Sequence, residues 1–141
     1  MRPVTLLVVG AGGRGAGYAQ YAAAHPDQAR VVGVAEPRDY HRTRLAQSHA
    51  IPASRTFTDW RQAAAEPRFA DAVLICTQDA MHEEPAIAFA GQGYHMLLEK
   101  PMAPTAATDE AALAAEEARL ARAAAIGDGA AFATLYERYE P

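Results

Sequence analysis

Cysteine is nearly absent: Cys76 stands alone in 141 residues, so no disulfide forms within the chain. It lies in an apolar run with nothing nearby to lower a thiol pKa. It therefore reads as a buried structural thiol, not a nucleophile, and a reducing cytoplasm suits it. Long hydrophobic runs are missing too. No stretch approaches the roughly 20 apolar residues of a membrane span. Met1-Arg2 and the run behind it imitate the start of a signal peptide, but that run is short and ends in a glycine loop. There is no excess of positive charge: 13 Lys and Arg stand against 17 Asp and Glu, for a net charge of −4. This argues against nucleic acid and anionic membranes as partners. The one basic cluster, Arg38 to Arg44, is short and interrupted, and reads as a solvated helix face. No repeat occurs at solenoid spacing. What remains is half apolar and 21% charged, the composition of a globular domain long enough to bury a core.

Strand and helix patterns alternate along that domain. Val4–Val9 reads as a strand and Arg14–Ala24 as a helix, which His25-Pro26-Asp27 stops. Arg30–Ala35 is the second strand, and Tyr40–His49 a helix before Pro52. A short strand at Thr56–Phe57 precedes a helix that Asp59 caps and Pro67 ends. Ala72–Cys76 is a continuous apolar run, as a strand buried on both faces should be. A helix over Met81–Ala90 and a strand over Tyr94–Leu98 follow. Strands alternating with helices of about ten residues predict parallel β-α-β units. The expected fold is α/β, a Rossmann-type doubly wound parallel sheet in one domain with a helical C-terminal tail.

The first strand breaks into Gly10-Ala11-Gly12-Gly13-Arg14-Gly15, and a helix follows at once. The order strand, Gly-x-Gly-x-x-Gly, helix is that of a dinucleotide-binding turn. Gly10 makes the turn, and Gly12 has no side chain to keep a pyrophosphate from the backbone. Gly15 lets helix and strand lie close. The amides around Gly12, Gly13 and Arg14 open the helix and offer donors to phosphate. Glu36 ends the second strand, 21 residues after Gly15. That is where an acid accepts the adenosine ribose hydroxyls. Alone it would read as a solvated strand-end residue; with the glycine loop it reads as the ribose acceptor. A carboxylate there repels a 2′-phosphate, which favours NAD modestly over NADP, while Arg38 offers that phosphate a partner.

Two further segments stand at carboxyl ends of strands, where ligands of open α/β sheets sit. Thr77 and His82 follow the buried run and are expected to face a dinucleotide. The alternative is that Thr77 and Asp79 cap the next helix and His82 lies on its surface. His82-Glu83-Glu84 lacks the spacing of a metal site. Glu99-Lys100-Pro101 ends the last strand. A lysine there donates a proton or polarises a carbonyl, or else simply leaves the strand into solvent; chemistry alone does not decide.

Together, Gly10 to Gly15, Ala35-Glu36-Pro37, Ile75-Cys76-Thr77 with His82, and Glu99-Lys100-Pro101-Met102-Ala103 resemble the glucose–fructose oxidoreductase and inositol dehydrogenase family (Gfo/Idh/MocA) over roughly residues 3 to 115. The resemblance implies an NAD- or NADP-binding domain, with Glu99 beside the cofactor. It makes Lys100 the catalytic lysine that binds the reacting hydroxyl of a sugar, polyol or related substrate. Family members continue into a second α/β domain that carries further catalytic residues and most substrate and dimer contacts. The chain is thus expected to stop before a substrate domain, to show little turnover alone, and to self-associate weakly.

The expected boundaries are a dinucleotide-binding domain over 1–120 and a tail over 121–141. Thr105 to Ala125 reads as a helix with a narrow apolar stripe at Leu113 and Leu120. Gly127-Asp128, Ala131-Phe132 and Leu135-Tyr136-Glu137-Arg138-Tyr139 are similar to the opening of sigma-type transcription factors. The rival readings are a non-catalytic dinucleotide-binding module, a truncated or fused gene product, and an interaction protein whose tail is a transcription-factor remnant.

Overall fold

The computed structural model of the chain describes residues 2–102. Strands and helices alternate along them. β1 (Val4–Val9) leads to α1 (Gly13–Ala24), β2 (Ala29–Ala35) to α2 (Asp39–Ser48), and β3 (Thr56–Phe57) to α3 (Trp60–Ala65). β4 (Ala72–Ile75), α4 (Glu83–Gly91) and β5 (His95–Leu98) follow. Every pairing is parallel, and the strand order is β3-β2-β1-β4-β5. The chain starts in the middle of its sheet, winds to one edge, and crosses back to build the other. The winding therefore reverses between β1 and β4. At such a reversal the connections leave in opposite directions and a crevice opens beyond the strand ends.

From Leu6 to Val9, β1 is apolar because both its faces are covered. Leu7 and Val9 join α3 and α4 in one core, with Ala63, Ala86 and Phe89. Val8 joins α1 and α2 in the other, with Ala19, Ala22 and Leu45. The two layers differ in bulk. The α3/α4 side holds aromatic rings, among them Phe89 and Tyr94 edge to face at 5.3 Å. On the other side α1 buries only Gly15, Ala19 and Ala22. Small side chains leave nothing to hold α1 away from the sheet.

Local signals explain the element ends. The expected cap of α3 is present: the Arg61 N–H donates to Asp59 Oδ1 at 2.7 Å, within a capping box completed by Gln62. The helix expected over Met81–Ala90 is divided. Asp79–Met81 makes a single 3-10 turn, and α4 begins at Glu83. Pro85 is the third residue of α4, where the amide has no acceptor within the helix, so the missing N–H costs nothing. Met81 and His82 thereby fall outside α4. The expected helix over Thr105–Ala125, the boundary at 120 and the tail over 121–141 lie outside the described residues.

Asp71 ties the amino ends of the central strands together. Its carboxylate accepts the Thr5 N–H at 2.9 Å, the Thr5 hydroxyl at 2.7 Å, and both Arg2 guanidinium nitrogens at 3.0 and 2.7 Å. The Thr5 amide first, then Arg2 and the Thr5 hydroxyl, hold the Asp71 carboxyl well below the usual carboxylate range. A carboxyl lowered in the folded state stabilises the fold above its unfolded pKa and loses that contribution as pH falls toward its folded one. Asp71→Ala is expected to cost about 1–2 kcal/mol in urea unfolding at pH 7. The difference from wild type should shrink steadily below about pH 4.

Candidate functional site

Three strand ends and one helix start meet at the point of reversal. β1 ends at Gly10, whose N–H donates to Ala35 O at 2.8 Å. Gly10 has φ +90°, and a Cβ there would lie 2.5 Å from Cys76 O. Both facts demand glycine. A Cβ on Gly15 would lie 2.0 Å from Gly10 O and 3.1 Å from Val8 Cγ1, so α1 presses directly on the end of β1. Gly12 and Gly13 are different. A Cβ on Gly12 would meet only Arg38 Nη2, at 3.2 Å, and one on Gly13 nothing within 4 Å. The fold makes little use of the bare backbone at these two positions. Gly12 caps α1 with extended backbone and no side-chain hydrogen bond, so the first-turn amides of α1 receive no side-chain acceptor. An anion fits a helix end of this kind.

Glu36 stands beside the loop, and it is not solvated. The residue is 1% exposed. Oε2 accepts the Ala11 N–H at 2.7 Å and Arg38 Nη2 at 3.0 Å. Oε1 accepts Arg38 Nε at 2.8 Å and the Arg38 N–H at 3.0 Å. Burial pushes this carboxyl up, but the Arg38 and Ala11 bonds outweigh it and hold the carboxyl below its usual value. Four donors meet its four lone-pair directions. Arg38 is the outer lid of the pair, and its side chain is 59% exposed. The basic cluster is thus partly consumed inside the fold. Arg42 donates to the carbonyls of Glu36 and Pro37 at 2.8 and 3.0 Å and pairs with Asp39.

The β4 and β5 ends complete the site. Cys76 is buried, and burial first, then the Glu99 charge, pushes its thiol up to about 12. That makes it the inert thiol the sequence predicts. The Thr77 hydroxyl donates to Met81 O at 3.0 Å, which closes the 3-10 turn. His82 does not lie on a helix surface, which was the alternative to its facing a dinucleotide. It is 1% exposed, with Nδ1 2.6 Å from Pro101 O and Nε2 3.1 Å from Thr77 O. The cause is the split helix, which turns His82 inward between two loops. Glu99 continues β5 by donating its N–H to Ile75 O at 3.0 Å, and Lys100 follows it, exposed. The peptide between Lys100 and Pro101 is cis.

Two features were overlooked in the sequence. Tyr18, on α1, donates its hydroxyl to Glu99 Oε1. The only available signal was an aromatic residue one turn past the glycine loop. The second is that Lys100 is the only lysine in the chain; every other cation among the 13 basic residues is arginine.

Residues 4–125 match the family model described as the Gfo/Idh/MocA oxidoreductase family, NAD-binding Rossmann fold. The chain belongs to this family. A curated relative, scyllo-inositol 2-dehydrogenase (NADP(+)) IolU of Bacillus subtilis, is 38% identical over 66 residues, which are 47% of this chain and 20% of that protein. Levoglucosan dehydrogenase, solved with NADH and L-sorbose, is 26% identical with a TM-score of 0.68, over 89% of this chain and 32% of the other. The WlbA dehydrogenase of Bordetella pertussis, solved with NADH and UDP-GlcNAcA, shares the fold at 23% identity with a TM-score of 0.72, over 88% and 34% of the two chains. The chain therefore spans about a third of the length of these solved relatives. It carries the NAD-binding Rossmann domain of the family. No helix among the described residues is long and apolar enough to cross a membrane.

The glycines sort by what they serve. Gly15→Ala is expected to destabilise the fold by several kcal/mol, because backbone must move to admit the methyl group. Gly13→Ala, at an exposed helix start, should change stability by under about 1 kcal/mol. Paired thermal melts of the two variants check this.

Proposed function

We propose that this chain binds a nicotinamide dinucleotide in the crevice between β1 and β4, and that it serves the oxidation or reduction of a sugar, polyol or related hydroxyl or carbonyl substrate. The observation that carries the reading is the space above Gly12, beside uncapped amides and a carboxylate at the end of β2. A bound dinucleotide supplies hydride exchange with the substrate carbon. Gly12, Gly13, Arg14 and Gly15 would receive the pyrophosphate, Glu36 and Arg38 the adenosine ribose, and Thr77 and Glu99 the nicotinamide half. His82 would act from behind, by holding the loops that carry these groups. The unit assigned this role is residues 1–120.

Lys100 is the proton-exchanging group offered to the substrate. Its identity supports this, since the chain uses arginine at every other basic position. A guanidinium does not release its proton, whereas an amine does. Two relatives, an inositol dehydrogenase and a levoglucosan dehydrogenase, support a polyol or sugar as substrate.

The choice between dinucleotides rests on the Glu36–Arg38 pair. With Arg38 swung outward, Glu36 accepts ribose hydroxyls; with Arg38 on a 2′-phosphate, the carboxylate's repulsion is offset. NAD keeps a modest advantage, because the buried carboxylate remains beside the ribose in either arrangement.

Three outcomes are expected. In calorimetry, Gly12→Val abolishes NADH binding while the melting temperature stays near wild type; equal affinity for both proteins would sink the assignment. Arg38→Ala weakens NADPH binding about tenfold and leaves NADH within about threefold; equal losses would remove Arg38 from the discrimination. Where polyol-dependent turnover is measured, Lys100→Arg lowers kcat by about 10²–10⁴, and full activity in that variant would exclude proton exchange at Lys100.

A further inference from the structure

Lys100 is held at both sides. It makes no hydrogen bond or ion pair among the described residues. The residue before it, Glu99, is fixed twice, by its backbone on Ile75 O at 3.0 Å and by its side chain on the Tyr18 hydroxyl. The carbonyl of the residue after it, Pro101, is 2.6 Å from His82 Nδ1. Tyr18 is itself anchored, because it packs against the core layer under α1. The Glu99 bond first, then burial, raises the Tyr18 phenol above its ordinary value, so the hydroxyl keeps its proton and donates throughout the neutral range. A hydroxyl donated to a carboxylate is among the stronger hydrogen bonds. It joins the helix that opens on the glycine loop to the turn that carries the lysine, across 81 residues of sequence.

We propose that Tyr18 is a positioning residue: through Glu99 it sets the turn carrying Lys100, so that α1 aligns both halves of the cofactor crevice. Its N-terminus receives the pyrophosphate, and its second turn places the groups at the nicotinamide half. The inference rests on the dinucleotide reading for its cofactor readout alone.

The single lysine makes the test direct. Labelling with ¹⁵N-lysine yields one backbone amide peak, that of Lys100. In wild type its heteronuclear NOE is expected at the level of ordered backbone. In Tyr18→Phe it should drop to the level of a mobile loop. Tyr21→Phe, which removes a hydroxyl of the same helix that bonds to Gln28, should leave the peak unchanged. In binding, Tyr18→Phe should weaken NADH about fivefold and leave ADP-ribose, which lacks the nicotinamide, within about twofold. Tyr18→Phe and Glu99→Gln together should cost less than the product of their separate effects. An unchanged Lys100 NOE in Tyr18→Phe overturns the proposal, as does an equal loss for NADH and ADP-ribose. A wild-type chain that binds neither molecule overturns the dinucleotide reading instead, and the NOE still decides the role of Tyr18.

Discussion

The site depends on one close approach, that of Gly15 to Gly10. Where a Cβ on residue 15 would stand, the carbonyl oxygen of Gly10 lies 2.0 Å away. With hydrogen alone at Gly15, α1 rests on the end of β1, and its open amides stay beside the strand ends. Any larger side chain would lever the helix outward and move those donors from the crevice. The same approach explains the thin α1 layer. A helix pressed this close has room for Ala19 and Ala22 against the sheet and little else. Apolar bulk is concentrated on the opposite face instead, where Phe89 and Tyr94 fill the space under α4. The fold thus places its deep core on one side and its precise helix contact on the other.

Electrostatics then set the loop. A carboxylate buried as Glu36 is would be costly without partners. Its bond from the Ala11 amide converts that cost into a fixed loop shape, and Arg38 closes the remaining directions. The loop is therefore held before any ligand arrives, by the residue to which the ribose contact is assigned in the proposed function. Preorganisation of this kind lowers the ordering cost of binding.

Much of this was legible in the sequence, for identifiable reasons. Buried parallel strands read as unbroken apolar runs, so Leu6–Val9 and the run from Ala72 stand out. The glycines declare a turn because only their backbone permits it, and Asp59 with Gln62 marks a helix start within four residues. The errors share another cause. Glu36, taken alone, reads from sequence as a solvated strand end and is instead a buried structural node. The alternative that puts His82 on a helix surface fails, because the helix starts past it at Glu83 and leaves His82 interior. Tyr18 was overlooked because its partner is 81 residues away. Local pattern reports which backbone a segment prefers. It does not report which distant loop meets a side chain, and the contacts that organise this site are mostly of that kind.

Lys100 brings the two levels together. A chain that meets its needs for positive charge with arginine gives up nothing at surface ion pairs, where a fixed guanidinium charge serves well. At one position it keeps an amine, and there the backbone is anchored on both sides while the side chain has no partner among the described residues. Charge alone would not require that combination, since any anchored or unanchored arginine supplies charge. The proton exchange proposed for Lys100 requires both parts of it. The amine must be free to exchange, and its carbon stem must start from a fixed point for the exchange to occur at a defined atom. Sequence supplies the first condition in a single letter. The second is met only by the folded chain, through Ile75, Tyr18 and His82.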